Sequence, residues 1–272
     1  MTDVSALVQF VRDHPQLTVL SGAGCSTASG IPEYRDDNGD WMHAEPVQFP
    51  DFMGSERVRR RYWARSYAGW GRMSKASPNA AHRALADLEE RGFVTQLITQ
   101  NVDNLHRTAG SQNVIDLHGV LHRVRCMDCE SSVSRAELQQ ELERLNPEWA
   151  ATITGVAPDG DAHIAEDTEN FEIPPCPSCG GILKPDVVFF GESVPRERVE
   201  LARQALARSD ALLVVGSSLM VYSGFRFARE AAAQNIPIAI VNRGRTRADD
   251  LATVKLAEDC GSALESVVKQ CA

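Results

Sequence analysis

The sequence of 272 residues lacks several features that would indicate other classes of protein. No apolar run approaches the roughly 20 residues that a membrane-spanning helix needs. The first residues show no basic-then-apolar signal pattern, and Asp3 argues against a transit peptide. The sequence also has few basic residues relative to acidic ones, with 28 Lys and Arg against 37 Asp and Glu. The resulting net charge of −9 disfavours a nucleic-acid partner that would be bound through its phosphates. We therefore expect a cytoplasmic protein that binds neither membranes nor nucleic acids.

The sequence has seven cysteines, an odd number, whereas a disulfide framework needs an even number. Four of them form two C-x-x-C pairs, namely Cys126, Cys129, Cys176 and Cys179. In a reducing compartment this pattern favours a tetrahedral zinc site over disulfides. Four thiolates would fill the zinc shell, so we expect one structural ion; a catalytic zinc would need a histidine or a water as a ligand.

The interval between the two cysteine pairs is longer than the spacing of about 15–20 residues that is usual in zinc ribbons. We expect it to hold a helix over residues 134–145 and a loose acidic loop over residues 158–172. The hydrophobic content of 43% is enough for one main domain with a smaller appendage.

The third glycine of the common dinucleotide pattern G-x-G-x-x-G is absent, because Thr27 stands in its place. Residues 17–20 form an apolar run typical of a buried strand, and Gly22-Ala23-Gly24 and Ser26 follow as a glycine turn and a helix start. Such a turn is an anion site that fits a dinucleotide pyrophosphate, with a plain tight turn as the alternative. The missing glycine, and the lack of a clear acidic residue at the end of a second strand, disfavour a hydride-transfer dehydrogenase.

Two further segments precede the second strand. Gly30-Ile31-Pro32 should end the first helix early and leave residues 33–40 as a polar, mobile loop beside the phosphates. Residues 48–72 are rich in aromatics and arginines and are expected to be helical, with most of the aromatics in the core. Tyr62 and Arg65 are spaced i, i+3 and can face one cleft, although a solvated arginine on a helix surface explains the same spacing.

Polar residues follow the second expected strand, residues 93–99. Gln100, Asn101 and Asp103 come directly after it, and the carboxyl ends of buried strands are where open α/β sheets bind ligands. We therefore expect these side chains to line a ligand site.

A third short strand is expected at residues 114–117, and His118 follows it. The unperturbed pKa of histidine, about 6.5, lies near working pH, so His118 is a candidate general base. A histidine that is hydrogen-bonded only for structure is a stronger alternative for His106 and His122 than for His118.

The rest of the sequence alternates strands with helices, which predicts an α/β fold with a parallel, doubly wound sheet. Residues 211–215 lead into Gly216-Ser217-Ser218, a second small-residue turn suited to phosphate or ribose. Residues 236–241 lead into Asn242-Arg243-Gly244. The other strands and helices are expected at 4–13, 184–192 (leading back to the main sheet), 199–207, 225–234, 251–256 and from Cys260 onward.

Several motifs occur together and in one order over nearly the whole sequence. They are Gly22-Ala23-Gly24-x-Ser26-Thr27-x-Ser29-Gly30-Ile31-Pro32-x-Tyr34-Arg35, Thr99-Gln100-Asn101-Val102-Asp103-x-Leu105-His106, Leu117-His118-Gly119, the paired C-x-x-C units, Lys184-Pro185-x-Val187-Val188-Phe189-Phe190-Gly191-Glu192 and Gly216-Ser217-Ser218-Leu219. With these motifs the sequence resembles the sirtuin family. Finer features resemble its class II branch, which includes an animal mitochondrial sirtuin: Arg61-Tyr62-Trp63-Ala64-Arg65, Leu145-Asn146-Pro147, Ala157-Pro158-Asp159-Gly160-Asp161 and Val221-Tyr222-Ser223-Gly224.

The resemblance implies a large Rossmann-type domain, a small zinc-binding domain and NAD as a co-substrate. It implies that an acyl-lysine of a protein substrate attacks the nicotinamide ribose, with release of nicotinamide, free lysine and O-acyl-ADP-ribose. His118 would be the base, Asn101 would orient the ribose and a water, and Asp103 with Ile31 would hold the nicotinamide amide. The implied NAD contacts are Gly22, Ala23, Gly24, Thr27, Ile31, Pro32, Tyr34, Arg35, Gln100, Asn101, Asp103, Gly216, Ser217, Ser218, Asn242, Arg243, Gly244 and Cys260.

The resemblance also assigns the protein substrate and the domains. Val187, Val188, Phe189, Phe190, Gly191 and Glu192 would pair with the substrate backbone as an added strand. Tyr34 departs from the Phe of many members and gives the ring beside the nicotinamide pocket a polar tip. The implied segments are 1–36, 82–120 and 186–272 for the large domain, 37–81 for a helical insertion of the small domain, and 121–185 for the zinc-binding part.

The acyl group is left open by the sequence. Tyr62 and Arg65 resemble the Tyr-x-x-Arg pair with which class III sirtuins bind acidic acyl groups, whereas Trp63 and the class II features favour bulky chains such as lipoyl or biotinyl. We expect bulky chains to be preferred, with acidic acyl groups as a side activity, unless Arg65 is a structural salt-bridge partner. Protein ADP-ribosylation from the same NAD site and a non-catalytic zinc-ribbon binding module are the alternative functions.

Overall fold

The computed structural model describes residues 4–38, 40–42, 46–165 and 167–271. Asp3 lies outside the described residues, as does residue 39 of the expected loop 33–40. The helices and strands of the described part are, in chain order, α1 (Val4–Asp13), β1 (Leu17–Ser21), α2 (Phe49–Gly54), α3 (Glu56–Met73), α4 (Ala80–Glu90), β2 (Val94–Thr99), α5 (Leu105–Ala109), β3 (Val114–Asp116), β4 (Gly119–Cys126), β5 (Ser132–Ser134), α6 (Arg135–Leu145), β6 (Ile153–Val156), β7 (Ala162–Ile164), β8 (Leu183–Val187), α7 (Arg196–Ala207), β9 (Ala211–Val215), α8 (Tyr222–Ala233), β10 (Ile238–Val241), β11 (Val254–Leu256) and α9 (Cys260–Gln270). No described helix is long and apolar enough to cross a membrane.

The main sheet has six parallel strands in the order β11-β10-β9-β1-β2-β3. The predicted α/β fold with a Rossmann-type, doubly wound sheet is therefore confirmed. All five residues of β1 are buried, as expected for a central parallel strand that is covered on both faces. Because the chain continues from β1 to β2 on one side and reaches β9 on the other, the crevice that binds ligands in such sheets lies at the carboxyl ends of β1 and β9.

Helices cover both faces of this sheet. On one face, α1, α4 and α9 pack through a cluster that includes Leu7, Leu85 and Leu264, none of which has exposed surface. On the other face, α7 and α8 pack through a cluster that includes Ala202 and Phe227. The burial of these apolar side chains fixes the sheet, and with it the loops at its carboxyl edge.

A second group of elements, which we call the small module, consists of α2, α3, α6 and β4–β8. It contains a three-stranded antiparallel sheet, β5-β4-β8, and the hairpin β6-β7. Its core is aromatic and surrounds the fully buried Arg135, whose guanidinium carbon lies 4.7 Å from the ring centroid of Trp70. The Arg135 guanidinium also donates to the backbone oxygen of Ser66, and burial lowers the pKa of Arg135 to about 10. The domain bounds given above stay a prediction.

The expected helix after β1 is wrong. The structure has two 3₁₀ turns there, Ala23–Cys25 and Thr27–Ser29. The side chain of Ser26, between the two turns, donates to the buried carboxylate of Asp103 at 2.7 Å, and Gly30 ends the second turn with a positive φ of 82°. These tertiary contacts hold the segment in short turns where local propensity favoured a helix.

The strand expected at residues 184–192 is wrong in its extent. Its ordered part, β8, ends at Val187 and pairs with β4 of the small module, not with the main sheet. The chain turns after Val187 because Lys184 Nζ donates to the backbone oxygen of that residue and to the carboxylate of Glu192. The same carboxylate accepts a hydrogen bond from the backbone N–H of Phe189 at 2.9 Å.

Smaller differences concern the bounds of other elements. The helix expected at 48–72 is divided at Ser55, whose side chain caps the start of α3. The loop expected at 158–172 contains β7, and the strand expected at 251–256 starts only at Val254, after a 3₁₀ turn over Asp249–Leu251. Strand β4 was not predicted.

Candidate active site

A cavity of about 690 Å³ opens at the carboxyl edge of the main sheet and extends to the small module. His118 and Tyr62 line it, and so do all the NAD contacts implied by the resemblance except Pro32. The six residues expected to pair with the substrate, from Val187 to Glu192, line it as well. Pro32 borders a much smaller neighbouring pocket, and Arg65 does not line the cavity.

Two small-residue turns interlock at the sheet side of this cavity. The backbone N–H of Gly24 donates to the oxygen of Gly216 at 2.9 Å. A Cβ on Gly22 would lie 2.7 Å from the Cβ of Ser217, and a Cβ on Gly216, whose φ is +58°, would lie 2.3 Å from the backbone nitrogen of Cys25. Because no side chain fits between the turns, backbone groups of both turns reach the cavity, which is the form of an anion cradle.

Asn101 and Asp103 are held by the segment after the first glycine turn. The Asn101 amide nitrogen donates to the oxygen of Gly22 and to the hydroxyl of Ser26, both at 3.0 Å. The buried carboxylate of Asp103 accepts from the Ser26 hydroxyl at 2.7 Å and from the backbone N–H of Leu105 at 2.9 Å. The side chains predicted from the end of the second strand thus lie together and are fixed in position.

His118 is a neutral base whose tautomer is fixed by its neighbours. Its Nδ1 lies 2.9 Å from the backbone oxygen of Gln100, and since a carbonyl only accepts, Nδ1 bears the proton. Its Nε2 then accepts from the hydroxyl of Ser223 at 2.7 Å. Burial lowers the pKa of His118 to about 4; the hydrogen bond to Gln100 opposes this, and Arg198 and Arg226 lower the pKa further.

Ser223 was not assigned a role from the sequence. It appeared there only within a class II motif, because a serine has no signal of its own until the fold brings it to a base. In the structure it lies at the start of α8 and lines the cavity beside His118.

The other two histidines of the sequence argument lie elsewhere. His106 is buried, its Nε2 lies 2.8 Å from the Ser21 hydroxyl, and burial holds its pKa well below 6.5. His122 packs its ring 5.3 Å from that of Trp70. Neither residue lines the cavity. The hydrogen bond of His106 agrees with the structural alternative, whereas the buried Nδ1 of His122 has no hydrogen-bond partner among the described residues.

Tyr62 and Arg65 do not act as a pair in the structure. Tyr62 is buried and packs against Phe189, with ring centroids 5.1 Å apart. Arg65 Nε instead donates to the backbone oxygen of Ala162 at 3.0 Å and lies 3.7 Å from a carboxylate oxygen of Asp161. The arrangement corresponds to the alternative in which Arg65 is a structural salt-bridge partner.

Asp161 places a carboxyl group behind this wall of the cavity. It is buried, burial raises its pKa well above 3.8, and its Oδ1 has no hydrogen-bond partner among the described residues. Asp159, two residues earlier, lines the cavity. After burial itself, these two carboxylates are the main causes that raise the pKa values of Tyr34 and Tyr62.

The four cysteines of the C-x-x-C pairs meet in the small module. Their Sγ atoms all lie within 4.8 Å of one another, with Cys126 and Cys179 at 3.5 Å and Cys129 and Cys176 at 3.8 Å. A tetrahedral zinc with Zn–S bonds of about 2.3 Å needs sulfurs about 3.8 Å apart, so this donor set fits one structural zinc ion.

Known proteins match this chain over most of its length. The sequence model of the Sir2 family matches residues 22–223. An "NAD-dependent protein deacetylase" of Xanthomonas campestris pv. campestris (strain 8004) is 60% identical over 260 residues, 95% of this chain and 89% of that protein. The "NAD-dependent protein lipoamidase sirtuin-4, mitochondrial" of Bos taurus is 47% identical over 265 residues, 96% of this chain and 84% of that protein.

A solved structure of a Sir2 protein with a p53 peptide and NAD+ is similar to this structure, with a TM-score of 0.81 and 29% sequence identity over 99% of this chain and 98% of that one. The sheet, the cavity and the four cysteines thus occur in a chain whose sequence and fold both match one family. The chain belongs to the Sir2 family, the sirtuins, as its motifs suggested, and to the class II branch of that family.

Proposed function

We propose that this chain removes acyl groups from lysine side chains in proteins, that His118 is its general base, and that it prefers bulky, uncharged acyl chains. NAD-dependent protein deacylation is the activity that its relatives' names describe, and NAD is the co-substrate. The single observation that supports the role of His118 is its Nε2, an acceptor on a half-buried imidazole at a cavity lined by both glycine turns and the Val187–Glu192 segment.

The residues of the chain divide the work as follows. The interlocked turns of Gly24 and Gly216 present backbone groups to the pyrophosphate of NAD, and Asn101 and Asp103 bind the nicotinamide end. His118 Nε2 removes the proton from a ribose hydroxyl when that hydroxyl attacks the acyl group. The hydroxyl of Ser223, which occupies Nε2 in the free protein, has to turn away for this step.

The preference for uncharged chains rests on the wall formed by Tyr34, Tyr62 and Phe189. These rings give this wall of the cavity an apolar surface, and Arg65, held by Ala162 and Asp161, does not reach it. The lipoamidase name of the Bos taurus relative supports a long acyl chain. The acidic side activity that we expected from Arg65 is not part of this proposal.

The test compares lipoyl, biotinyl, acetyl and glutaryl forms of one lysine peptide with NAD. Release of nicotinamide together with O-acyl-ADP-ribose identifies deacylation, whereas label on the protein identifies ADP-ribosyl transfer. We expect lipoyl or biotinyl peptides to give the highest kcat/KM. A highest value for the glutaryl peptide that Arg65→Met abolishes would contradict the acyl preference, and a highest value for the acetyl peptide would make the enzyme a plain deacetylase.

A further inference from the structure

The part of the cavity beside α8 is rich in arginine, although the chain as a whole has a net charge of −9. Arg226 lies in the first turns of α8 and lines the cavity with Ser223 and His118. Its guanidinium carbon is 5.3 Å from the ring centroid of Tyr222. Its Nε is buried and has no hydrogen-bond acceptor among the described residues.

Neighbouring arginines that line the cavity or lie near His118 differ in whether they have a partner. Arg203 is paired with Glu230 at 2.7 Å, and Arg198 with Asp186 at 3.3 Å. Arg196 is exposed, lines the cavity at the start of α7 and, like Arg226, forms no ion pair with any residue that the structure describes. Arg196 and Arg226 are therefore cavity-lining cations without a carboxylate partner among the described residues.

A buried N–H without an acceptor is unfavourable, and a guanidinium prefers an acceptor that can take two of its N–H groups, such as a carboxylate. The pyrophosphate of NAD has its own cradle at the glycine turns on the sheet side. The rim next to Arg226 is formed by Val221 and Tyr222, which are 38% and 49% exposed. This rim borders the His118 side of the cavity, where a protein chain that presents its acyl-lysine would enter.

We propose that Arg226 binds a carboxylate of the protein substrate, so that the enzyme favours acyl-lysines with a neighbouring Asp or Glu. This inference rests on the proposed function in one respect only, that the cavity receives an acyl-lysine segment. It adds a sequence preference that the Sir2 family membership does not supply. The apolar rim contacts the peptide, and the arginine selects its charge.

The test uses peptides that differ only in one residue next to the acyl-lysine, which is Glu, Gln or Lys, placed on either side in turn. Binding is measured by calorimetry without NAD, so it requires no turnover. At one of the positions we expect the Glu peptide to bind about tenfold more tightly than the Lys peptide, as one charge-assisted hydrogen bond allows. Arg226→Gln should reduce that ratio to near one, and Arg226→Glu should invert it.

Arg229→Gln is the matched control. Arg229 packs against the same Tyr222 ring, at 5.7 Å, but does not line the cavity, so this variant should keep the wild-type ratio. Arg226→Lys, which keeps the charge, should keep part of the ratio. Equal loss of affinity for all peptides in Arg226→Gln, or a change only in the KM for NAD, would overturn the proposal. Absence of deacylation with a preserved Glu preference would instead refute the proposed function and leave this inference supported.

Discussion

The cavity is bounded on one side by the main sheet and on the other by the small module, and the two sides are built differently. The sheet side consists of backbone turns that fit together without side chains, such as Gly24 against Gly216, and of His118 held by a backbone oxygen. The module side consists of large side chains, Tyr62 and Phe189, with the buried carboxyl group of Asp161 behind them. We infer that the sheet side determines the reaction and that the module side determines which acyl group reacts.

The largest expected effect is on the sheet side. His118→Ala should lower deacylation by about 10² to 10⁴-fold, which is the usual loss when a positioned base is removed. NAD binding should remain, because the glycine turns do not depend on the imidazole. Turnover and NAD affinity of the folded variant measure the two effects, and near-normal turnover would contradict the role of His118 as base.

Loss of zinc should affect the module side alone. Cys176→Ser removes one of four ligands, so we expect lower zinc content and a small module that unfolds at lower temperature. Metal analysis and thermal unfolding with separate probes for the two regions check this. Active wild-type protein without zinc would refute the structural ion.

Acid should destabilise the sheet side through two histidines whose pKa values are lowered in the folded chain. Burial lowers the pKa values of His82 and His118 to about 4, so between pH 4 and 6.5 the unfolded chain binds more protons than the folded chain. The free energy of unfolding should therefore be highest above pH 6.5 and fall towards pH 4, by up to about 1.4 kcal/mol per pH unit for each histidine. Denaturant titrations across this range measure it, and a flat profile would contradict the buried neutral state.

On the module side, Asp161 should change the free energy of unfolding with pH in the opposite direction. Its raised pKa disfavours the charged form in the folded chain. Asp161→Asn should not destabilise the protein at pH 7, and it frees Arg65 from its carboxylate partner. We expect the ratio of glutaryl to lipoyl turnover to rise about tenfold, a change of about 1.4 kcal/mol. The double variant Asp161→Asn with Arg65→Met is the control and should lose that gain. An unchanged ratio in Asp161→Asn would show that the module side does not select acyl charge in this way.

The smallest effect is expected at Ser223. Its hydroxyl donates to Nε2 of neutral His118, and a hydrogen bond to the neutral form disfavours protonation. Ser223→Ala should raise kcat about two- to tenfold, the value of one hydrogen bond, and move the acid limb of the pH–rate profile to higher pH. A rate change without a shift of the acid limb would point to a structural role only.

The features that could be predicted from the sequence lie mostly on the sheet side. Buried parallel strands are recognisable from short apolar runs, so β9 was predicted at its observed bounds, and β1 and β2 within one residue at each end. The polar residues after these strands lie in the cavity because parallel strands end at one edge. The two C-x-x-C pairs, far apart in the chain, also came together as predicted, since four thiolates suit a single ion. The roles assigned to individual NAD and substrate contacts stay predictions.

The errors lie where contacts between distant segments override local preference. Ser26 seemed to start a helix, but its side chain donates to Asp103, and the segment forms short turns. The strand expected at 184–192 ends at Val187, because Lys184 forms a salt bridge with Glu192 where the chain turns.

The sequence by itself determined the family, the parallel sheet, the four cysteines that fit one zinc ion and the position of His118 at a strand end. These depend on local spacing and on patterns that need no knowledge of distant partners. Only the tertiary structure decided that Ser223 donates a hydrogen bond to His118 and that Arg65 lies beside Asp161. The same holds for Arg226, whose buried Nε has no acceptor among the described residues. Each of these depends on side chains from separate segments, and the electrostatic state of a group in a cavity is determined by the neighbours that folding brings to it.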